Sequence, residues 1–249
     1  MHKFFVDEGS INGQVICITG DDVKHLSGVL RLRKGDSIQV CDGNSNEYIC
    51  SITEIEKKQV LCHIEESFKS TSEPPISITL YQGIPKAQKM DLIVQKCTEI
   101  GVCRIVPVNT SRAVVRVDEK DLGSKLERWR RIAEEAAKQS NRGCIPQIDG
   151  LMDFKEAIHE AMELDMAFMP YELEKSVGLK KALSGRNKAV TCGIFIGPEG
   201  GFEEEEVREA MSKGIAPVTL GPRILRTETA GFVSAACILY EIGDIGGSI

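Results

Sequence analysis

The chain has 249 residues, 42% of them hydrophobic, and a formal net charge of −6; this is enough apolar material for one large core or two modest ones. The acidity argues against non-specific coating of nucleic acid, which depends on neutralising phosphates, though it leaves room for a folded RNA bound through local basic patches. No apolar leader and no run of eighteen apolar residues occurs, so a cytoplasmic protein without a membrane span is expected, and nine cysteines without C-x-x-C spacing and four histidines without H-E-x-x-H spacing point to metal-independent chemistry.

The first seventy residues read as short strands. "QVICIT", "DSIQVCDG", "NEYICSITEI" and "QVLCHIEES" are β-rich runs, and Asp42–Gly43–Asn44 reads as a hairpin turn, so a small β-barrel is predicted. One segment departs from this pattern. "DDVKHLSGVLRLRKGD" predicts a short helix from Asp21 followed by a loop in which Arg31, Arg33 and Lys34 cluster. "SFKSTSEPPIS" (67–77) is the predicted linker, since Pro74 and Pro75 block both helix and central strand, and the boundary is set between domains 1–72 and 73–249.

Beyond it, strands and helices alternate. "ISITLYQGI", "VCRIVPV", "DMAFMP", "VTCGIFIGP" and "APVTLGP" predict strands. "KMDLIVQKCTEIG" puts Met90, Ile93, Val94, Cys97 and Ile100 on one helical face with Gly101 as the C-cap. "LERWRRIAEEAAKQSNR" carries a stripe of Leu126, Trp129, Ala133, Ala136 and Ala137, which makes Trp129 a core residue. "EEEEVREAMSKG" and "ETAGFVSAACILYEIG" predict two further helices, the last capped by Thr227 or Thr229. Such alternation implies a parallel sheet covered by helices, with ligands beyond the carboxyl ends of the strands.

Three of those strand ends carry pointed loops: "MPYE" (169–172), "GPEGG" (197–201) and "GPRILR" (221–226). Glycine loops that open into helices usually cradle phosphates, yet here Glu203, Glu204, Glu205 and Glu206 fill the first turn. A Walker A loop and a G-x-G-x-x-G fingerprint are both missing. The ligand profile that remains has a flat base, hydrogen-bonding edges and a cationic reactive centre, which is the profile of S-adenosylmethionine. A Cβ on Gly200 would intrude on such a ligand.

Taken together, "FIGPEGGF" and "LGPRILRTETA", with "HLSGVLRLRKGD", "KMDLIVQKCTEIGV" and "RWRRIAEEAAKQSNR" in the same order, closely resemble the bacterial 16S rRNA uridine-N3 methyltransferases of the SPOUT superfamily. The resemblance covers nearly the whole chain. It implies an α/β protein with an N-terminal PUA-like β-barrel and a C-terminal parallel-sheet domain tied in a trefoil knot, working as a homodimer on 16S rRNA of the small ribosomal subunit, assembled or nearly so. Carried over by residue, it implies cofactor contacts from Met169, Glu172, Gly197, Pro198, Glu199, Gly200, Gly201, Leu220, Gly221, Ile224, Leu225, Thr229 and Ala230. Arg226 and Glu199 are the candidate catalytic residues, and Arg31, Arg33, Lys34, Arg112 and Arg142 the candidate RNA contacts.

Two other readings compete. Ribose 2′-O methylation belongs to the same superfamily, whose members typically place an asparagine at the start of the last helix; none occurs from Leu220 to Ile249. A non-catalytic RNA-binding or assembly protein would also carry a barrel and a basic loop. The cofactor loops favour methyl transfer over the latter.

Overall fold

Alternating apolar and polar residues build the first part of the chain into β1 (Lys3–Phe5), β2 (Ile11–Asn12), β3 (Val15–Thr19), β4 (Ser37–Cys41), β5 (Asn46–Ile55) and β6 (Gln59–Lys69). The computed structural model describes residues 1–113 and 119–247. Among them, these strands form one sheet in the order β1-β4-β5-β6-β3-β2, antiparallel throughout except for the parallel β1–β4 pair. The period of two decides the inside: Ile16 and Ile18, Ile38 and Val40, Cys50 and Ile52, Val60 and Cys62 point into one core with Phe4 and Leu26. At the β4–β5 hairpin, Asp42 Oδ1 accepts the N–H groups of Asn44 and Asn46 at 2.7 and 3.1 Å, and Gly43 takes φ 76°. Helix α1 (Asp21–Lys24) starts where its acidic first turn predicts and runs on into a π-type turn, His25–Val29. Strand β6 extends to Lys69, so the first three residues of the predicted linker are strand.

The chain divides into two compact units, Met1–Glu73 with Ala137–Ile145, and Pro74–Ala136 with Pro146–Ile249. The returning segment is fastened within the first unit by buried charge. Lys3 Nζ donates to the carbonyl oxygens of Asn141 at 2.9 Å and Arg142 at 3.1 Å and pairs with Glu47 at 3.3 Å. Arg142 in turn donates to Glu73 at 2.6 Å.

The second unit contains β7 (Ser77–Gly83), α2 (Lys89–Ile100), β8 (Arg104–Asn109), most of α3 (Glu119–Gln139), β9 (Gln147–Ile148), β10 (Met152–Asp153), α4 (Phe154–Ala161), β11 (Met166–Pro170), α5 (Leu179–Leu183), β12 (Thr191–Ile196), α6 (Glu204–Ser212), β13 (Ala216–Val218) and α7 (Thr227–Ile242). Its strands pair in the order β10-β8-β7-β12-β11-β13, with β9 also on β8, and each pairing is parallel. Two helices lie outside the sequence reading. One is α4, whose apolar residues 154, 157, 158 and 161 are all buried and whose Asp153 forms a capping box with Glu156. The other is the five-residue α5.

Helices cover both faces of this sheet. Tyr81 and Phe195 stack at 4.4 Å between ring centroids under α4 and α6, whereas the neighbouring Leu80 faces Gly231 of α7 and Cys97 of α2. Gly101 ends α2 with φ 108°, as its C-cap position predicts. Trp129 is buried. Because the strands are parallel, the loops after β7, β11, β12 and β13 open at one edge.

Candidate active site

At that edge lies a cleft of about 940 Å³, within the range of small-molecule sites. Its walls are the loops after β11, β12 and β13 with the first turns of α2 and α7. The sequence-predicted residues Glu172, Gly197, Pro198, Glu199, Gly200, Gly201, Leu220, Gly221, Ile224, Leu225, Arg226 and Ala230 all line it. Met169 does not. It is fully buried in the core beneath α4 and α6, because strand alternation puts its side chain on that face of the sheet. Thr229, half-buried in the first turn of α7, is not in the lining either.

The shape of the 197–201 loop follows from close backbone packing. A Cβ on Gly197 would lie 2.9 Å from the carbonyl carbon of Gly201, and one on Gly83 would lie 2.7 Å from Pro198 Cδ, so only glycine permits this approach. Gly201 has φ 67° and donates its N–H to Pro198 O at 2.9 Å. A Cβ on Gly200, which lines the cleft, would come 3.1 Å from Arg112 Cβ, so the protein also fills part of the space beside it. The loops after β11 and β13 are stitched together, with Tyr171 N–H donating to Val218 O at 3.0 Å and Thr219 N–H to Val177 O at 2.9 Å.

Two of the four glutamates at the start of α6, Glu203 and Glu206, are engaged within the protein. Glu203 is the N-cap of α6 and shares a capping box with Glu206. Glu206 is buried and also accepts the Ser111 N–H at 2.8 Å. Arg112 forks onto Glu203 at 2.8 and 3.0 Å and donates to Gly200 O at 3.0 Å. Glu204 and Glu205 are exposed at the positive end of the helix. The charged side chains of the cleft balance: Glu172, Glu174, Glu199 and Glu228 stand against Lys89, Lys175, Arg223 and Arg226. A polyphosphate would need an excess of cations.

Glu199 accepts from Lys89 Nζ at 2.7 Å and from the Lys86 N–H at 3.1 Å. Burial raises its carboxyl pKa, but the Lys89 ammonium and the backbone N–H groups outweigh that and hold it below the ordinary value. The candidate catalytic residue Glu199 is therefore a poor proton acceptor, since a base needs its affinity for protons raised. Glu228 Oε2 lies 3.4 Å from Lys89 Nζ without hydrogen-bond geometry and is otherwise unpartnered. Arg226 is the N-cap residue of α7. Its side chain is 81% exposed, with Nη1 3.7 Å from Glu228 Oε1, so it is free to reach a second substrate.

Neither Thr227 nor Thr229 caps α7 through its side chain. The Thr227 hydroxyl instead donates to Gly197 O at 2.6 Å. The sequence reading also missed Lys89, whose position at the start of α2 gives no local sign of the loops it reaches 110 residues away. Of the candidate RNA contacts, Arg31, Arg33 and Lys34 are exposed. Arg112 is half-exposed but committed to Glu203 and Gly200. Arg142 is corrected: it is 2% exposed and paired with Glu73, which leaves no face for a phosphate. Among the described residues, no group of metal-ligating side chains occurs and no helix is long and apolar enough to cross a membrane.

The chain matches the family model of an RNA methyltransferase domain over residues 72–239 and that of an RNA methyltransferase PUA domain over residues 18–65. It is similar to Ribosomal RNA small subunit methyltransferase E of Bacillus subtilis, 35% identical over 97% of each chain. The protein of that name from Aquifex aeolicus is 34% identical, over 97% of this chain and 100% of its own. The crystal structure of Ribosomal RNA small subunit methyltransferase E from Neisseria gonorrhoeae, bound to S-adenosyl methionine, aligns with a TM-score of 0.86 and 30% identity, covering 98% of this chain and 99% of that one.

Proposed function

The chain belongs to the RNA methyltransferase family that includes the ribosomal RNA small subunit methyltransferases E, and on that premise we propose that it methylates N3 of a specific uridine in 16S rRNA. It is an S-adenosylmethionine-dependent rRNA methyltransferase. The observation that carries this reading is the cleft at the strand ends: a close-packed glycine loop faces the start of α7, with balanced charge around it. S-adenosylmethionine supplies an activated methyl group on a cationic sulfur. Gly197, Gly201, the 220–225 loop and Ala230 would hold it, and the Glu172 carboxylate and the Glu228 oxygen that accepts no hydrogen bond suit its positive charge.

Uracil N3 carries a proton at neutral pH; that proton passes to water, and the anion left behind spreads its charge onto O2 and O4. Arg226 offers a permanent charge and a fork of donors to those oxygens, lowering the N3 pKa in place of a strong base. Arg31, Arg33 and Lys34 position the RNA through its phosphates. The family resemblance adds a trefoil knot, a PUA-like barrel, a homodimer, a substrate at or near the assembled small subunit, and a cytoplasmic location. The dimer gains support from α7, which is apolar around much of its circumference yet leaves Tyr240 and Cys237 exposed.

The deciding experiment is methyl transfer from labelled cofactor to unmethylated small-subunit particles, followed by nucleoside analysis. N3-methyluridine is expected. A 2′-O-methylated nucleoside, or no transfer, overturns the reading.

A further inference from the structure

Gln82, the penultimate residue of β7, has no solvent exposure. Its Nε2 donates to the Gly83 carbonyl at 2.9 Å and to Thr227 Oγ1 at 3.0 Å. The Thr227 hydroxyl then donates its single proton to Gly197 O at 2.6 Å, so the direction of the relay is fixed: amide to hydroxyl to carbonyl. It joins points 145 and 30 residues apart in sequence. Oε1 of the same glutamine is buried with no hydrogen-bond partner. A buried orphan acceptor is unfavourable, and an apolar side chain of similar volume would avoid it. Set against its two donated hydrogen bonds, that orphan leaves the glutamine little net contribution to stability.

We propose that Gln82 is a positioning residue for methyl transfer. Acting through Thr227, it fixes the Gly197 carbonyl, and with it the first peptide of the glycine loop, against the turn of α7 that carries Arg226 and Glu228. Gln82 touches neither reactant, and its effect reaches the reaction only through the spacing of those two walls. This role rests on the reading of the cleft as an S-adenosylmethionine site.

The test compares wild type with Gln82→Met, Thr227→Val and Thr227→Ser, measuring Tm, calorimetric S-adenosylmethionine affinity and single-turnover methyl transfer. Gln82→Met is expected to change Tm little while weakening cofactor binding about tenfold, the scale of one well-aligned hydrogen bond. Thr227→Val loses at least as much affinity, and Thr227→Ser, which keeps the hydroxyl, stays close to wild type. The role is overturned if Gln82→Met and Thr227→Val bind and turn over as wild type does. It is equally overturned if their losses follow Tm and serine does not restore them. Wild-type protein that binds no S-adenosylmethionine would overturn the reading of the cleft, and this role with it.

Discussion

Lys89 donates from Nζ to Glu199 Oε1 at 2.7 Å, which ties the first turn of α2 to the glycine loop. The ammonium is held above its ordinary pKa chiefly by that hydrogen bond, and the Glu199 carboxyl is held below its own. A carboxyl lowered in the folded state favours folding above its ordinary pKa, and the benefit fades as pH falls through the lowered value. Lys89→Met should therefore raise the Glu199 titration toward the ordinary carboxylate range, as followed by NMR. It should also weaken S-adenosylmethionine binding modestly, since partly exposed ion pairs contribute little. An unmoved Glu199 titration would contradict the assignment.

Gly197→Ala tests the loop. Its methyl would meet the Gly201 backbone at 2.9 Å, and relieving such overpacking costs about 1–3 kcal/mol. Reduced stability in denaturant and reduced cofactor affinity are both expected. Gly123, in α3, makes a control: a Cβ there meets nothing within 4 Å, so Gly123→Ala should stabilise by about 0.5–1 kcal/mol with binding unchanged.

Arg226→Ala should bind cofactor and ribosomal substrate nearly as wild type does, yet turn over about 10²- to 10³-fold more slowly. Its rate should recover in part as pH rises toward the intrinsic pKa of uracil N3. Arg226→Lys keeps the charge, loses the fork and should retain part of the activity. Single-turnover transfer against pH separates these cases, and a deficit confined to KM or constant with pH would make Arg226 a binding residue.

Joint neutralisation of Arg31, Arg33 and Lys34 should raise KM for the ribosomal particle and flatten its salt dependence with kcat little changed. Arg142→Ala should behave differently. Breaking its buried pair with Glu73 is expected to destabilise the protein by about 3–5 kcal/mol, seen as a lower Tm. If Arg142→Ala keeps its Tm and loses RNA affinity, the buried pair is not what holds it.

Much of the fold was legible because local rules decided it. Alternation placed β5 at Asn46–Ile55, and a glycine after a helical stripe placed the end of α2 at Gly101. Helix α4 carries the same kind of signal, an i, i+3, i+4, i+7 pattern after Asp153, whereas α5 is too short to show a period. Met169 is hard to place because β11 is apolar on both faces, which hides the alternation that puts its side chain under α4 and α6. Arg142 looked like surface charge because nothing near it in sequence reveals Glu73. Lys89 and Gln82 stayed invisible for the same reason, since their partners lie 110 and 145 residues away.

The return of residues 137–145 to the first unit has a consequence for how the protein is made. The amino-terminal unit cannot be completed as its own strands leave the ribosome, because Lys3 waits for carbonyls at positions 141 and 142 that are synthesised long after β6. Nor can a single cut yield it intact: a fragment ending at residue 72 would leave Lys3 with Glu47 alone. The two units are interleaved in sequence, so until residues 137–145 are made Lys3 can pair with Glu47 but lacks the two carbonyls that complete its site.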